Sequence, residues 1–426
     1  MSKSQIGFAG LTHLGLNSAV ASAERGFNIV CFDENTALIQ QLKAGQLPVI
    51  EPELPELFSK NQDHLTFTDK AIALKECDIV YIAVDVPTDD AGQSDLSPVN
   101  ALIEKVVANL HSTALLVILC QVPPGFTRKL EGKLPLERVF YQVETLIFGR
   151  AIERALHPER FMIGCFLPSQ PLPTRYQNFL EAFNCPILPM RYESAELTKI
   201  AINCCLVSSI GVANTLSEIC EAINADWFEI VPALKLDKRI GQYAYLSPGL
   251  GIAGGNLERD LTTVVQLSNE YGTDTSIVRA WQGNSQYRRD WVLRVLHDYV
   301  FNQNPNPKIA VLGLAYKENT HSIKNSPALW LLQWLRGYSV KAFDPGVNLD
   351  GQLKIEIASS ALDAAKNADV LIIMTPWPEF RALNIKDLSG EMAGRVIIDP
   401  YRVLNNKDCK AAGFEYFTLG VKETVC

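Results

Sequence analysis

The chain has 426 residues, a net charge of −8 at pH 7 and 47% hydrophobic residues. This length allows two or three domains, each with its own core. The acidic balance excludes a general nucleic-acid binder, which needs a basic surface. No uninterrupted apolar run approaches the roughly 18 residues of a membrane span, so we expect no membrane partner.

The ten cysteines are scattered along the chain without CxxC pairs. This pattern predicts reduced, mostly buried thiols in a cytoplasmic protein, with neither a disulfide framework nor a metal site. The polar start, residues 1–4, predicts no signal peptide.

The first segment alternates strand and helix signals, which is typical of a doubly wound parallel sheet. Its predicted elements are a strand at Gln5–Ala9, a helix at 14–25, and strands at Asn28–Phe32, 78–84 and 114–119.

A second copy of this pattern begins near Lys308, with a strand at 309–314, a helix at 327–336 and a strand at 340–343. Between the copies, helical periodicity without proline predicts a long helix, which typically spans two domains or builds a dimer interface. The predicted helices of this part are 195–223, Asn256–Tyr271 and 276–299.

We therefore predict an α/β fold class, with two Rossmann-like doubly wound domains joined by a long central helix and a helical dimerisation region. The predicted domains are an N-terminal Rossmann domain at 1–190, a central helical domain with the dimerisation region at 191–300, and a C-terminal Rossmann-like domain at 301–426.

The turn after the first strand, residues 10–15, has the sequence G-L-T-H-L-G. The dinucleotide fingerprint G-x-G-x-x-G uses its glycines for a tight turn, close approach of pyrophosphate and helix packing. Gly10 and Gly15 are present, whereas Thr12 replaces the second glycine. Asp33 follows the second strand, and an acid there favours NAD over NADP because it repels a 2′-phosphate. The alternative is a Rossmann scaffold that no longer binds a dinucleotide.

Residues 248–260, P-G-L-G-I-A-G-G-N-L-E-R-D, resemble the active-site loop P-G-x-G-[FY]-G-G-x-C-x-x-K-D of the UDP-glucose/GDP-mannose dehydrogenase family. Similar matches follow the family order from Ile6 to Gly420; they include 45–52, 84–88, 121–125, 195–203 and 313–320. The resemblance implies NAD-dependent oxidation of the C6 alcohol of a UDP- or GDP-sugar to the carboxylate, and a homodimer. It also implies that the domain at 1–190 binds NAD and that the domain at 301–426 binds the nucleotide sugar (UDP).

The resemblance also implies catalytic roles. Glu144 matches a glutamate that acts as a base through water, and its alternative is a surface carboxylate. Lys199 and Asn203, four residues apart on one helix face, match the pair that stabilises the developing alkoxide, and their alternative is a solvated pair. Asp260 matches the aspartate of the active-site loop.

Asn256 stands where the family has its nucleophilic cysteine. An amide offers no thiolate and cannot form a thiohemiacetal. The structural alternative for Asn256 is a helix N-cap, for which asparagine is among the best residues. Cys120 is the alternative nucleophile.

Binding residues are implied in the same way. The cofactor-binding set is Gly10, Thr12, His13, Leu14, Gly15, Asp33, Pro87, Thr88 and Gln121. The substrate-binding set is Gly249, Gly251, Lys317 and Arg402.

Three functions follow from these residues. The first is an NAD-linked nucleotide-sugar dehydrogenase whose chemistry is impaired or altered because the cysteine is absent. The second is a non-catalytic nucleotide-sugar-binding homologue with a regulatory or partner-subunit role. The third is a protein that uses one Rossmann domain for another ligand.

Overall fold

The computed structural model describes residues 4–89, 92–349 and 355–422. The chain divides into two compact units, Met1–Ile202 and Asn203–Cys426. Over the described residues, each unit contains one large sheet of mainly parallel strands.

The first unit carries eight described strands in the order β3-β2-β1-β4-β5-β6-β7-β8. They are β1 (Gln5–Ala9), β2 (Asn28–Phe32), β3 (Leu65–Thr68), β4 (Ile79–Ile82), β5 (Leu115–Ile118), β6 (Val139–Gln142), β7 (Phe161–Cys165) and β8 (Ile187–Arg191). Only the β6–β7 pairing among them is antiparallel. The order of β1 to β6 is that of a dinucleotide-binding sheet, whose ligand lies where the strand order reverses, next to β1 and β4.

Helices cover this sheet. They are α1 (His13–Glu24), α2 (Thr36–Lys43), α3 (Leu54–Lys60), α4 (Ser97–Val107), α5 (Ala151–Leu156) and α6 (Thr174–Glu181). Every residue of β4 and β5 is buried, as expected for parallel strands with both faces covered. Short 3₁₀ segments lie at Gln62–His64, Ala71–Glu76, Thr127–Leu130 and Leu136–Arg138.

Helix α7 (Tyr192–Ile223) is 32 residues long and crosses the division between the units. It confirms the long helix predicted from periodicity. Over the described residues, α7 alone is long and apolar enough to cross a membrane by length and composition, and only 33% of its most apolar window is buried.

The second unit contains a six-stranded parallel sheet over its described residues, in the order β11-β10-β9-β12-β13-β14. The strands are β9 (Lys308–Leu312), β10 (Ser339–Phe343), β11 (Glu356–Ile357), β12 (Val370–Ile373), β13 (Val396–Ile398) and β14 (Glu415–Phe417). This order repeats that of the first sheet, so the predicted second copy is confirmed.

The helices of the second unit are α8 (Trp227–Leu236), α9 (Asn256–Tyr271), α10 (Ser276–Arg289), α11 (Trp291–Val295), α12 (Pro327–Trp334), α13 (Ala361–Ala365), α14 (Pro378–Arg381), α15 (Ile385–Glu391) and α16 (Asn406–Ala411). A π-helical segment, Leu296–Phe301, follows α11.

The predicted single helix at 276–299 is wrong, because the chain breaks at Asp290. This residue has φ −83° and ψ 2° between α10 and α11. Its carboxylate accepts a hydrogen bond of 2.8 Å from Nε1 of Trp330. Aspartate is a weak helix former because its side chain forms competing hydrogen bonds in non-helical conformations. The hydrogen bond to Trp330 joins residues that are distant in sequence, so local periodicity does not reveal it.

Candidate active site

The dinucleotide turn leaves no room for side chains at its outer glycines. Gly10 has φ +92°, and a Cβ there would lie 2.1 Å from Cγ1 of Val84. A Cβ on Gly15 would lie 1.8 Å from the carbonyl oxygen of Gly10. Both glycines are therefore required for the close packing of β1, α1 and β4.

Thr12, at the middle glycine position, immediately precedes α1 with φ −71° and makes no capping hydrogen bond. Its Oγ1 instead accepts the backbone N–H of Asp85 at 2.9 Å. Asp85, in the match at residues 84–88, replaces the glycine of the family motif V-G-T-P-T. Two positions that differ from the family are therefore joined by a hydrogen bond at the edge where β1 and β4 end.

Asp33 fits the ribose-binding role expected of it. Its Oδ2 accepts the N–H of Leu11 at 2.8 Å and its Oδ1 accepts the N–H of Asn35 at 2.9 Å. These bonds fix the carboxylate beside the turn, while the first turn of α1 presents backbone N–H groups to an anion. The residues present therefore fit a dinucleotide.

The other predicted cofactor residues lie at the same edge of this sheet. Pro87 and Thr88 follow β4, where Thr88 bridges to Ser94, and Gln121 follows β5. His13 and Leu14 are the first two residues of α1 and are buried.

Replacing Thr12 by glycine should tighten NAD binding several-fold, because it removes the side chain that crowds the pyrophosphate. The matched variant Thr12→Ser keeps the hydroxyl that bonds to Asp85 and should bind NAD like the parent. Fluorescence titration with NAD and NADP measures both. Weaker binding to the glycine variant, or a preference for NADP, would contradict the assignment.

Glu144 and Lys199 form an ion pair within the first unit. Lys199 Nζ lies 3.3 Å from Glu144 Oε2, and their side chains are only 13% and 17% exposed. Glu144 also accepts the N–H of Leu146. The alternatives of a surface carboxylate and a solvated lysine are therefore wrong for these two residues.

Glu196 was missed as a positioning residue. It is fully buried in α7 and accepts the N–H groups of Gly125 at 2.5 Å and Thr127 at 2.8 Å. Burial raises the pKa of its carboxyl group. It fixes the V-P-P-G loop that follows Gln121. The signal was present in the sequence, as an acid inside the A-E-x-x-K match.

Asn203 and Asp260 form a buried pair in the second unit. Asn203 Nδ2 donates to Asp260 Oδ2 at 2.5 Å, and the residues are 7% and 1% exposed. Arg259 Nε lies 3.6 Å from Asp260 Oδ1. The amide of Asn203 and the guanidinium of Arg259 therefore hold the Asp260 carboxylate in a defined position.

The glycine-rich loop before α9 is anchored within the second unit. Gly251 has φ +83°, and a Cβ there would lie 2.4 Å from the carbonyl oxygen of Ser285. The N–H of Gly249 donates to Oδ1 of Asn214 at 2.8 Å, and that of Gly254 to the carbonyl of Lys324 at 3.0 Å. The loop therefore presents the start of α9 from a defined backbone.

The N-cap prediction for Asn256 is wrong by one residue. Gly255 is the N-cap, with φ −106° and ψ −27°, and α9 begins at Asn256. The backbone dihedral angles of Gly255 are already close to helical values, so the helix begins one residue earlier than predicted. Asn256 is therefore the first helical residue and not the N-cap. Asn256 is exposed in the first turn of α9, and no side-chain capping bond forms at this terminus.

Cys120, the alternative nucleophile, and Cys204 are both poorly suited to act as nucleophiles. Cys120 is fully buried, and desolvation raises the pKa of its thiol to about 12. Cys204, next to Asn203, has a raised pKa because of burial and the carboxylate of Asp260. A thiol with a raised pKa carries little thiolate, which is the reactive form.

Lys317 and Arg402 make different contacts. Lys317 Nζ lies 5.7 Å from the ring centroid of Tyr316. Arg402, at φ +53°, pairs with Asp226 at 2.9 Å and stacks 3.8 Å above the ring of Phe228. Asp226, which also caps α8, was missed because 176 residues separate it from Arg402.

Three domain models of one family match this chain in order. They are the NAD binding domain at residues 4–171, the central domain at 193–285 and the UDP binding domain at 310–406 of the UDP-glucose/GDP-mannose dehydrogenase family. The chain belongs to this family. Its NAD-binding domain confirms NAD as the cofactor and an oxidoreductase class, and its UDP-binding domain supports a nucleotide-sugar ligand.

Known relatives span the whole chain. UDP-glucose 6-dehydrogenase TuaD of Bacillus subtilis is 30% identical over 98% of this chain and 93% of the relative. A UDP-glucose dehydrogenase structure from Pyrobaculum islandicum has 26% identity and a TM-score of 0.84, covering 99% of this chain and 98% of that one. A UDP-D-ManNAc dehydrogenase structure from Pyrococcus horikoshii, at 24% identity and a TM-score of 0.85 over 98% and 99%, shares the fold. The predicted fold class is confirmed.

Proposed function

We propose that the protein oxidises the C6 alcohol of a UDP-sugar to the aldehyde with NAD and does not carry out an efficient second oxidation to the acid. The observation that carries this proposal is Asn256, an exposed amide in the first turn of α9, which the sequence resemblance aligns with the family's cysteine. The Asn203–Asp260 and Glu144–Lys199 pairs support retention of the first step.

The first step removes a proton from the C6 hydroxyl oxygen and a hydride from C6. NAD, when bound, accepts that hydride. We assign proton acceptance to Asp260, which Asn203 orients by its 2.5 Å hydrogen bond. By the sequence resemblance we assign stabilisation of the developing alkoxide to Lys199, which pairs with Glu144 within the first unit.

The second step needs a group that adds to the aldehyde and holds a tetrahedral carbon from which a second hydride can leave. In the family the cysteine does this. The amide of Asn256 cannot, and the raised pKa of the Cys120 and Cys204 thiols argues against a substitute. The alternative route through the aldehyde hydrate has no covalent intermediate, and we expect it to be slow.

A second candidate is a non-catalytic nucleotide-sugar-binding homologue with a regulatory or partner-subunit role. Two observations favour it. Thr12 and Asp85 are bonded to each other in the cofactor turn, and the guanidinium of Arg402 is paired with Asp226. In both cases a residue that the resemblance assigns to ligand binding, Thr12 or Arg402, is already engaged by another residue of the chain.

For the ligand we propose a UDP-hexose rather than a GDP-sugar, because residues 310–406 match a UDP-binding domain. We also propose a cytoplasmic protein, since its free cysteines show no disulfide pairing among the described residues.

The two candidates are separated by following NAD reduction at 340 nm with a panel of UDP- and GDP-sugars, alongside thermal-shift binding of the same compounds. NADH formation with a UDP-hexose supports the enzyme. Stabilisation by the sugar without any NADH selects the binding-only homologue and contradicts the enzyme.

We further propose a homodimer formed through α7, where four apolar side chains with helical spacing are exposed: Val212 (49%), Leu216 (41%), Ile219 (47%) and Ile223 (67%). A contiguous apolar stripe of this kind marks an interaction surface.

The double variant Val212→Glu/Ile219→Glu should be monomeric in light scattering at micromolar concentration, because charges in the stripe oppose burial. The variant Ile50→Glu, at a loop isoleucine that is 89% exposed, should remain dimeric. A monomeric parent protein would contradict the proposal.

A further inference from the structure

A buried histidine–carboxylate pair joins the dinucleotide turn to the segment that carries Glu144. His13 begins α1, directly after Thr12, and is 9% exposed. Its Nε2 lies 2.6 Å from Oε1 of Glu51, which is 3% exposed. At this distance the ring N–H donates to the carboxylate.

The carboxylate of Glu51 also holds the far end of the Glu144 segment, residues 144–151. Its Oε1 accepts the N–H of Gly149 at 2.8 Å, and its Oε2 accepts the N–H of Ala151 at 3.1 Å. One buried carboxylate therefore has three donors, two of which belong to this segment. A charged group with this many hydrogen bonds is strongly fixed in position.

A ring contact adds a second connection between the turn and the Glu144 segment. The imidazole of His13 stacks on Phe148, with ring centroids 4.1 Å apart and an interplanar angle of 26°. The Glu144 segment is thus connected to His13 in two ways. The ring of Phe148 contacts the imidazole directly, and the backbone amides of the segment are linked to it through Glu51.

The near end of the Glu144 segment is held differently. Glu144 pairs with Lys199, and residues 142–146 border a small crevice of about 50 Å³ that they share with α1 residues Leu14 and Ser18. A side chain bordering open space can change position, whereas a close-packed one cannot. Glu144 is held locally by Lys199 and by the N–H of Leu146, and the hydrogen bonds of Gly149 and Ala151 to Glu51 hold the other end of the same segment.

We propose that His13 and Glu51 are positioning residues that couple occupancy of the dinucleotide turn to the placement of Glu144. An anion bound at the N-terminus of α1 lies next to the backbone of His13. The bound anion fixes the first turn of α1 and with it the imidazole of His13, which holds Glu51. Glu51 in turn holds the amides of Gly149 and Ala151, and these fix the segment that leads back to Glu144. This inference rests on the role proposed for Glu144.

The test is hydrogen exchange of the full chain, measured on peptides that cover residues 144–151, with and without saturating NAD. In the parent protein, NAD should slow exchange in this segment several-fold. Glu51→Gln has one amide oxygen in place of two carboxylate oxygens and cannot accept all three hydrogen bonds. This variant should still bind NAD saturably, but NAD should no longer slow exchange in residues 144–151. The control Glu53→Gln, at an exposed carboxylate two residues later, should behave like the parent.

A second pair of variants guards against misfolding of Glu51→Gln. His13→Phe keeps the stack on Phe148 and both amide bonds to Glu51 but removes the imidazole nitrogen, so NAD-dependent protection should be lost. His13→Gln restores a donor near Nε2 and should recover it. If the protein turns over, His13→Phe should lower kcat by a factor about 10- to 100-fold larger than the factor by which it raises the Kd for NAD. This is the effect expected of a misplaced catalytic group.

Two results would overturn the inference and are distinguishable. Saturable NAD binding with unchanged exchange in residues 144–151, or with protection retained in His13→Phe, would refute the coupling alone. A flat NAD binding curve would refute the coupling together with NAD use, whatever the nucleotide-sugar assay shows.

Discussion

Replacing Asp260 by asparagine should lower kcat for alcohol oxidation by about 10²–10⁴, the typical contribution of a positioned general base. Asp260 is 1% exposed and receives a 2.5 Å hydrogen bond from Asn203. The asparagine amide has the same shape and can still accept that bond through its oxygen, but it cannot take a proton. Steady-state NADH formation measures the loss, and the KM for the sugar should change far less.

Glu258→Gln is the matched control for this variant. It also exchanges a carboxylate for an amide, in the first turn of α9, but the Glu258 side chain bonds to Asn325. Its kcat should stay close to that of the parent. Equal losses in the two variants would mean that Asp260 stabilises the fold and does not act as the base.

Replacing Asn256 by cysteine should accelerate the second oxidation by about two orders of magnitude or more, since losing one member of a catalytic unit typically costs about 10⁴–10⁶ in rate. The position lies in the first turn of a 16-residue helix, where the helix N-terminus lowers the pKa of a thiol. The introduced thiol can add to the aldehyde and hold the tetrahedral carbon for the second hydride transfer.

Asn256→Ser is the control, since a hydroxyl of similar size is far less acidic and should leave the second step slow. The product ratio of uronate to aldehyde, followed by NMR, reports the difference. If neither the parent nor Asn256→Cys forms any NADH while both bind the nucleotide sugar, the binding-only function replaces the enzyme.

Much of the fold was predictable because its signals are local. The bounds of β1 and β2 were predicted to the residue, since strand periodicity and the turn glycines act over a few positions. The glycines of the dinucleotide turn and the A-E-x-x-K match likewise lie within short segments. The break at Asp290 was not predictable in this way, because it depends on Trp330 in another helix.

The site was less predictable because its decisive contacts join distant residues. The His13–Glu51 bond spans 38 positions and the Arg402–Asp226 pair spans 176. No periodicity encodes such contacts, which tertiary packing creates. The one-residue error at Asn256 has a different origin: helix ends depend on backbone dihedrals, and those of Gly255 started α9 early.

The most direct test of the central claim is the ratio of NADH formed to UDP-sugar consumed by the parent protein, with the aldehyde trapped by hydroxylamine. If Asn256 takes the place of the nucleophile, as we propose, the parent protein should give one NADH per sugar and a trapped aldehyde. Two NADH and one uronate per sugar, formed without release of the aldehyde, would contradict the account.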